Sequence, residues 1–331
     1  MFKYVVKRLL LALFILLAVS IILYILIRLM PMNIIEQRYY SSLQQGQAAD
    51  PEKLQAILDS YNLGDNSFGG IVGGWWKWLC AFFSGDFGTC LTNGRKVGDV
   101  IFENMGVSFA IALISLALEL VIAIPLGIKC ACNQYGKLDY TVTVLTMIGI
   151  SFPSFFFASI LIKIFAVDLG WFPIGSLNTP TANLQGFSKF LDTSWHLVLP
   201  ILVLTILSIG SMMRYTRTNT LEVLNADYIR TARAKGLSER KVVYKHVFRN
   251  TLIPLVTTLA GILPSLFGGS MIVEQVFAIQ GIGSVAYTMT MNGDVPFIMG
   301  YDMFIAVLTI IGILLTDIMY AVVDPRVKLG K

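Results

Sequence analysis

The chain has 331 residues, a net charge of +5 and a mean hydropathy of +0.72, with 56% hydrophobic and only 14% charged residues. Soluble domains carry about 25% charged residues, so this composition excludes a water-soluble globular protein. It indicates an all-α polytopic membrane protein, whose charged residues are confined to the segments between membrane spans.

The N-terminal residues predict a first membrane span that is not cleaved. Three basic residues precede an apolar run from Leu9 to Ile27. A signal peptide would have a shorter apolar core and small residues at a cleavage site, whereas the apolar run here continues toward Pro31. The sequence therefore predicts that residues 1–30 form a membrane helix.

Residues 31–104 form a long polar segment between the first and second spans. Within it, DPEKLQAILDSYNLG predicts a surface helix, because Asp50 can cap a helix whose first turn accepts Pro51. The stretch WWKWLCAFF is rich in tryptophan, which is typical of the membrane–water interface, and it predicts an interfacial hairpin. We expect the whole segment to be external and to contain interfacial helices.

The four cysteines fall into two pairs. Cys80 and Cys90 lie in the external segment, where an oxidising compartment would allow a disulfide, and two free thiols are the alternative. Cys130 and Cys132 lie in a short basic loop without a neighbouring histidine, so no metal site is expected there.

Six stretches are long and apolar enough to cross a bilayer, since about 20 helical residues span the hydrocarbon core. They are approximately Leu9–Met30, Val107–Ile128, Tyr140–Phe165, His196–Met213, Leu252–Val273 and Tyr301–Val323. The loops on one side contain most of the lysines and arginines, and the positive-inside rule therefore places both termini and residues 214–250 in the cytoplasm. After the first helix and the external segment, the sequence predicts a five-helix core over residues 105–323 and a cytoplasmic tail over residues 324–331.

Charged side chains inside a bilayer are costly and often mark functional sites. Glu119 lies near the middle of the second span, where it either lines a pathway or forms a structural hydrogen bond with a neighbouring helix. Near the inner end of the sixth span, Asp317 is expected to pair with a cytoplasmic basic residue, Arg214 or Arg217.

The fifth predicted span, LIPLVTTLAGILPSLFGGSMIV, is rich in small residues and prolines, which permit close helix contacts, bends and exposed backbone groups. Such features suit the lining of a wet pathway, with tight packing as the alternative. The third span contains a proline in ISFPSFFFAS and is the second candidate for the lining. The predicted pathway residues are Glu119, Pro153, Ser154, Ser265, Gly268, Gly269 and Ser270.

The cytoplasmic stretch DYIRTARAKGLSERKVVYKHVFRNTLIP, residues 227–254, is basic and yet patterned as a helix. Gly236 can adopt the left-handed conformation that ends a helix, and Ser238 can cap the next one. Orientation in the membrane requires positive charge but no helical order, so the pattern predicts a rigid helix-turn-helix that transmits force from a partner. A solvated basic loop near anionic lipid is the alternative.

At these residues the chain resembles the cytoplasmic signature loop of ABC-importer permeases, in the dipeptide, oligopeptide and nickel branch. Gly236 and Ala232 match the broad signature, Arg230 stands in place of its glutamate, and the final proline comes later, at Pro254. The Ala-Arg-Ala-Lys-Gly core is usual in the peptide branch. Other segments resemble that family's external and C-terminal motifs, namely GDFGTC at Gly85–Cys90, LGWFPIGS at Leu169–Ser176, VEQVFAIQGIG at Val273–Gly283 and DPRVK at Asp324–Lys328.

The resemblance implies a type I ABC importer permease fold with six transmembrane helices, in a bacterial or archaeal cytoplasmic membrane. It implies a non-catalytic subunit that binds no cofactor itself and forms half of the translocation pathway for di- and oligopeptides. The implied partners are a second homologous permease, two ATPase subunits carrying ATP and Mg, an external substrate-binding protein and membrane lipid. Residues 214–250 would be the coupling region, and the residues implied to contact the ATPase are Asn225, Ala226, Asp227, Arg230, Ala232, Arg233, Gly236, Ser238 and Glu239.

Two other classes of function stay open from the sequence. One is the import of nickel or another small solute by the same kind of transporter. The other is a self-sufficient secondary transporter or channel, which would have paired intramembrane charges and internal repeats, and neither is evident in the sequence. Catalysis by the chain is not expected, since the GxxxxGK[ST], HExxH and GxSxG motifs are all missing from it.

Overall fold

The computed structural model describes residues 2–29, 50–60, 67–179, 184–260 and 262–323. Most of them are helical. The described residues form no β-strand and contain an isolated antiparallel bridge between Thr89 and Lys96. The α-helices and the π-helices, labelled π1 and π2, are α1 (Phe2–Leu29), α2 (Pro51–Ser60), α3 (Phe68–Phe83), α4 (Val97–Cys132), α5 (Lys137–Ser151), α6 (Ser154–Leu161), π1 (Ile162–Asp168), α7 (Gly186–Leu224), α8 (Asp227–Ala234), α9 (Glu239–Lys241), π2 (Val242–Val247), α10 (Phe248–Ala260), α11 (Leu263–Gly268), α12 (Met271–Val276), α13 (Ile282–Met291) and α14 (Val295–Val323).

Four helical segments of the described chain are long and apolar enough to cross a membrane on their own. They are Arg8–Leu26 within α1, the whole of α4, the whole of α7, and Val295–Thr316 within α14. These segments coincide with the first, second, fourth and sixth predicted spans. They confirm the prediction of an all-α polytopic membrane protein.

The third predicted span is bent. α5 ends at Ser151, and the helical stretch Ser154–Asp168 follows it at an angle of 103°. Pro153 lies at the break, because proline lacks the N–H that would continue the helix and disfavours a helical conformation at the residue before it. That residue, Phe152, is accordingly extended. If the two parts cross together as one broken span, the described residues contain five spans.

The fifth predicted span is divided into shorter helices. α10 ends at Ala260, α11 ends at Gly268, and α12 begins at Met271. Between α11 and α12, Gly269 has a φ of +71°, a left-handed conformation that favours glycine. Because this stretch is not one long helix in the described residues, the count of six spans stays a prediction.

The chain divides into two compact units. The first contains residues 1–104 and 285–311, and the second contains residues 105–284 and 312–331. The division into a first helix, an external segment, a core and a tail stays a prediction from the sequence. Part of the external segment and the tail at residues 324–331 lie outside the described residues.

In the first unit, the tryptophan-rich stretch lies within the continuous helix α3, so the predicted interfacial hairpin is wrong. The stretch contains no glycine or proline that would turn the chain. Its side chains pack against α1, where Trp75 Nε1 donates a hydrogen bond to Ser20 Oγ at 3.0 Å and Trp78 joins the cluster around Tyr24. The predicted surface helix is present as α2, and Asp50 accepts the N–H of Glu52 at 3.1 Å.

The cysteines of the first unit are both free, so the structure does not contain the disulfide considered from the sequence. Cys80 is exposed on α3, whereas Cys90 is buried. Burial, and then the nearby Asp294 carboxylate, raise the pKa of the Cys90 thiol to about 11. A thiol with so high a pKa stays protonated near neutral pH and reacts slowly.

In the second unit, α4 packs against α7 along one face. Ser115 Oγ donates to the carbonyl oxygen of Ile201 at 3.4 Å. Farther along the same face, a Cβ at Gly127 would lie 2.8 Å from the carbonyl oxygen of Met213. The absence of a side chain at Gly127 therefore lets the two helix backbones approach closely, as is common between membrane helices.

Candidate functional site

The predicted coupling region, residues 214–250, folds as an ordered helical segment. α7 ends at Leu224, and α8 begins at Asp227 after a short break. Gly236 follows α8 with a φ of +75°, as expected for a glycine that ends a helix. Ser238 occupies the cap position of α9, but its hydroxyl makes no capping hydrogen bond. The structure thus contains the helix-turn-helix expected from the sequence.

A small hydrophobic cluster holds the coupling region in this shape. Ile229 and Ala232 of α8 belong to one buried cluster with Val242 and Val247 of π2. Because both sides of the turn share this core, the turn is fixed by packing as well as by its backbone. Ala232 was predicted to contact a partner, but it is only 7% exposed. Its methyl group belongs to the internal cluster, and its contact with a partner stays a prediction.

The other residues predicted at the contact are accessible on the coupling region. The Arg233 guanidinium donates to Glu239 at 2.8 Å across the turn, and Arg230 lies 3.8 Å from Asp227. Exposed ion pairs of this kind contribute little to stability, but they set which charged groups a partner meets. The accessible members are Asn225, Ala226, Asp227, Arg230, Arg233, Gly236, Ser238 and Glu239, of which Ala226 is half-buried.

A shielded ion pair anchors the base of the coupling region to α5. Arg217 on α7 donates from Nε and Nη2 to the two carboxylate oxygens of Asp139, at 2.6 and 2.7 Å. The Asp139 side chain is 4% exposed and the Arg217 side chain is 22% exposed. Arg217, one of the two residues considered as a partner of Asp317, therefore binds the Asp139 carboxylate, and the pairing of Asp317 stays a prediction. The side chain of Asp317 lies outside the described residues.

Glu119 lies on the face of α4 that packs against α7. It is 9% exposed, with the buried residues Ser115 and Ala123 one helical turn away on either side. In the described part of the chain, no hydrogen bond or ion pair reaches its carboxylate. The described residues therefore do not supply the structural hydrogen bond considered from the sequence, and both interpretations stay predictions.

Glu274 is missing from the predicted site residues, yet it is the centre of a buried hydrogen-bond network in the second unit. The residue is 1% exposed. Its Oε1 accepts from Ser108 Oγ at 2.7 Å and from the Ser270 N–H at 3.0 Å, and its Oε2 accepts from the Ser284 N–H at 2.9 Å. Ser108 Oγ in turn accepts the N–H of Ile282 at 2.8 Å. The carboxylate thus holds the loop after α11 against α4.

Glycines surround the Glu274 carboxylate because side chains would not fit there. A Cβ at Gly281 would lie 2.4 Å from Glu274 Oε2, and a Cβ at Gly269 would lie 2.6 Å from Oε1. The sequence signal for this site is the succession of one glutamate and two glycines in VEQVFAIQGIG, since glycine permits close backbone approach. That signal shows a tight turn but does not identify the donors to the carboxylate.

A second motif singled out in the sequence, LGWFPIGS, contacts the same loop. The Ser176 N–H donates to the carbonyl oxygen of Phe277 at 2.8 Å, and a Cβ at Gly175 would lie 2.6 Å from that oxygen. Just beyond the motif, the Thr179 N–H and hydroxyl both donate to the Asp192 carboxylate at 2.7 Å. Two motifs that are far apart in the sequence therefore meet in the fold.

The predicted pathway residues of the third and fifth spans lie at helix breaks or beside them. Pro153 and Ser154 occupy the bend between α5 and α6. Ser265 is exposed on α11. The remaining three, at the break between α11 and α12, are Gly268, Gly269 and Ser270. Of these, Gly269 and Ser270 contact Glu274, so they have a structural part whether or not they also line a pathway.

Comparisons with known proteins cover nearly the whole chain. Residues 123–329 match the family described as "Binding-protein-dependent transport system inner membrane component", and residues 1–112 match "Binding-prot-dependent transport system membrane comp, N-term". The chain is 37% identical to the oligopeptide transport system permease protein AppB of Bacillus subtilis (strain 168), over 99% of this chain and 100% of that protein. It is 35% identical to the dipeptide transport system permease protein DppB of the same organism, over 77% of this chain and 78% of that protein.

Among solved structures, the fold is similar to a chain of the MetNI methionine ABC transporter in an inward facing conformation. The two chains are 20% identical with a TM-score of 0.48, and the match covers 68% of this chain and 96% of that chain.

Proposed function

Because this chain belongs to the family of binding-protein-dependent transport system inner membrane components, we propose that it is the permease subunit of an ATP-driven importer of di- and oligopeptides. The observation that carries the proposal is the 37% identity to an oligopeptide transport system permease over 99% of the chain. The second relative is named for dipeptide transport, and both names favour peptides over nickel.

In this proposal the coupling region lies in the cytoplasm and contacts a separate ATPase subunit, which binds and hydrolyses ATP with Mg. The contact surface is formed by the exposed residues of α8 and of the turn after it, and the cluster around Ile229 keeps that surface in one shape. α7 runs without a break from the predicted fourth span to Leu224. A displacement of the coupling region would therefore move α7 with it.

The proposed assembly contains four further subunits and follows the type I importer arrangement. A second homologous permease supplies the other half of the pathway, two ATPase subunits supply energy, and an external substrate-binding protein delivers the peptide. Both termini are cytoplasmic, as the basic loops favour. The five-helix core at residues 105–323 forms the pathway, with Glu119, the bend at Pro153 and the break at Gly268 in its lining.

A cysteine at Ser238 is expected to cross-link to the ATPase subunit in the assembled transporter, whereas a cysteine at Ala232 is not. Ser238 is exposed on the turn, and Ala232 is buried in the cluster that contains Val242. Both variants are made in a background in which the exposed cysteines Cys80 and Cys132 are serine. A cysteine-to-lysine reagent is added, and products are identified by electrophoresis. Full transport activity without any product from Ser238→Cys would contradict the proposed contact.

The change Glu119→Gln is expected to lower the uptake of neutral peptides about tenfold, which corresponds to about 1.4 kcal/mol, and to leave assembly intact. No hydrogen bond within the described chain is lost, whereas a carboxylate in the pathway attracts the ammonium group of a peptide. Uptake of labelled dipeptide into proteoliposomes and co-purification of the subunits measure the two effects. Glu52→Gln, at an exposed position of α2, is the control. Equal uptake by both variants would remove Glu119 from the pathway.

A further inference from the structure

A basic depression lies beside the proposed ATPase contact on the coupling region. It is an open concavity of about 650 Å³ lined by Ser238, Arg240, Lys241, Tyr244 and Lys245. All five side chains are exposed, and the Tyr244 residue is 66% exposed. Among the described residues, the lining thus consists of three cations and two hydroxyl groups without a carboxylate, and this combination suits a phosphate group.

The cations of the basic depression are not neutralised by the neighbouring acidic residues. The nearest carboxylates along the chain belong to Asp227 and Glu239, and these lie beside Arg230 and Arg233. Within the residues that the structure describes, Arg240, Lys241 and Lys245 make no ion pair. Three positive charges that converge on one concavity without a counter-ion favour an anionic occupant.

The basic depression and the proposed ATPase contact meet at Ser238, which belongs to both, and elsewhere they lie on different sides of one hydrophobic cluster. The cluster is formed by Ile229 and Ala232 from α8 and by Val242 and Val247 from π2. Because each helix turns its apolar face toward the cluster, the exposed faces of α8 and π2 point away from each other. An ATPase that contacts α8 therefore leaves the basic face of π2 accessible to another partner.

The position of the basic depression along the chain favours lipid as that partner. Lys245 precedes Phe248, the first residue of α10, by less than one helical turn, and α10 leads into the fifth predicted span. Tyrosine and lysine are typical of such positions, where an apolar stem meets hydrocarbon and a polar end meets headgroups. We propose that this depression binds the phosphate of an anionic phospholipid and that this lipid holds π2 at the membrane surface. The inference uses the proposed placement of the coupling region beside the membrane and is independent of the transported substrate.

Native mass spectrometry of the purified transporter tests this proposal with phosphatidylglycerol and phosphatidylcholine as competing probes. The unmodified transporter is expected to retain phosphatidylglycerol in preference. Combined substitution Arg240→Gln, Lys241→Gln and Lys245→Gln is expected to reduce the preference about fivefold for each charge removed. The charge-matched control replaces three exposed lysines of the opposite predicted face and should keep the preference; these are Lys77, Lys96 and Lys189.

Three results would overturn the lipid assignment. The first is an unchanged preference for phosphatidylglycerol in the triple glutamine variant. The second is loss of the ATPase from that variant with its lipid preference intact, which would assign the basic depression to the ATPase. The third is displacement of the lipid by inorganic phosphate at equal concentration, which would indicate a site for free phosphate.

If the triple variant fails to fold, the single variants Lys241→Gln and Lys245→Gln are measured instead, and an unchanged preference in both overturns the proposal equally. The cross-link from Ser238→Cys does not depend on any of these outcomes.

Discussion

Replacing Glu274 by glutamine is expected to destabilise the second unit by about 3 kcal/mol or more, because hydrogen bonds to a charged acceptor contribute about 1.5–3 kcal/mol each. The carboxylate accepts hydrogen bonds from Ser108, Ser270 and Ser284 while it is 1% exposed. An amide keeps one acceptor oxygen, but its NH₂ group would face a donor that has lost its own acceptor. Thermal denaturation of the purified protein, followed by tryptophan fluorescence, should show a midpoint lower by several degrees.

The controls separate the network from the general effect of a glutamate-to-glutamine change. Glu52→Gln alters an exposed side chain and should leave the midpoint unchanged. Gly281→Ala perturbs the network without changing charge, since its Cβ would lie 2.4 Å from both Glu274 Oε2 and Ser108 Oγ. A midpoint equal to that of the unmodified protein in both the Glu274 and Gly281 variants would show that the network does not stabilise the fold.

Features set by neighbouring residues were predictable from the sequence. The four single-helix spans follow from uninterrupted apolar composition, and the end of α8 follows from Gly236, since a positive φ is a local property of one residue. The bend of the third span lies at Pro153, where the sequence shows a helix breaker, but its angle of 103° depends on the packing around it. The hairpin expected at WWKWLCAFF was wrong because interfacial aromatic residues do not by themselves require a turn.

Partners that are distant along the chain could not be predicted. Ser108 donates to Glu274 across 166 positions, and Arg217 donates to Asp139 across 78 positions. The residues alone show that a carboxylate needs donors, but they do not show which donors the fold supplies. Ala232 is a related case. Its small size suits both a partner contact and a tight internal cluster, and its packing against π2 is visible only in the fold.

The candidate sites of the second unit are connected through α4, α5 and α7. Glu274 holds the loop after α11 on α4, α4 packs against α7, and Arg217 joins α7 to α5 at the base of the coupling region. Chains of packed side chains, ion pairs and rigid helices of this kind can carry energetic coupling between distant sites. The Arg217–Asp139 pair is the connection nearest to the proposed ATPase contact, so its loss should separate ATP hydrolysis from transport.

Replacing Asp139 by asparagine is accordingly expected to lower stability by about 3 kcal/mol and to reduce the amount of peptide transported per ATP hydrolysed. Removing one partner of a shielded ion pair leaves the other charge without compensation, which costs about 3–5 kcal/mol for fully buried pairs. We expect the lower end because the Arg217 side chain is 22% exposed. The Asp139 carboxylate also accepts the N–H of Tyr135, whose φ is +62°, so the turn before α5 loses support as well. Thermal denaturation and paired assays of uptake and ATP hydrolysis measure the two effects.

A double-mutant cycle shows whether the pair itself is responsible. The variant that combines Asp139→Asn with Arg217→Gln removes both charges, so it should be more stable than the sum of the single effects predicts. Arg95→Gln breaks the exposed pair with Glu103 and serves as the control, with a much smaller expected effect because water already screens those charges. Additive single effects at Asp139 and Arg217 would mean that the two side chains act independently. In that case α5 would not support the coupling region through this contact, and the loss of transport would need another cause.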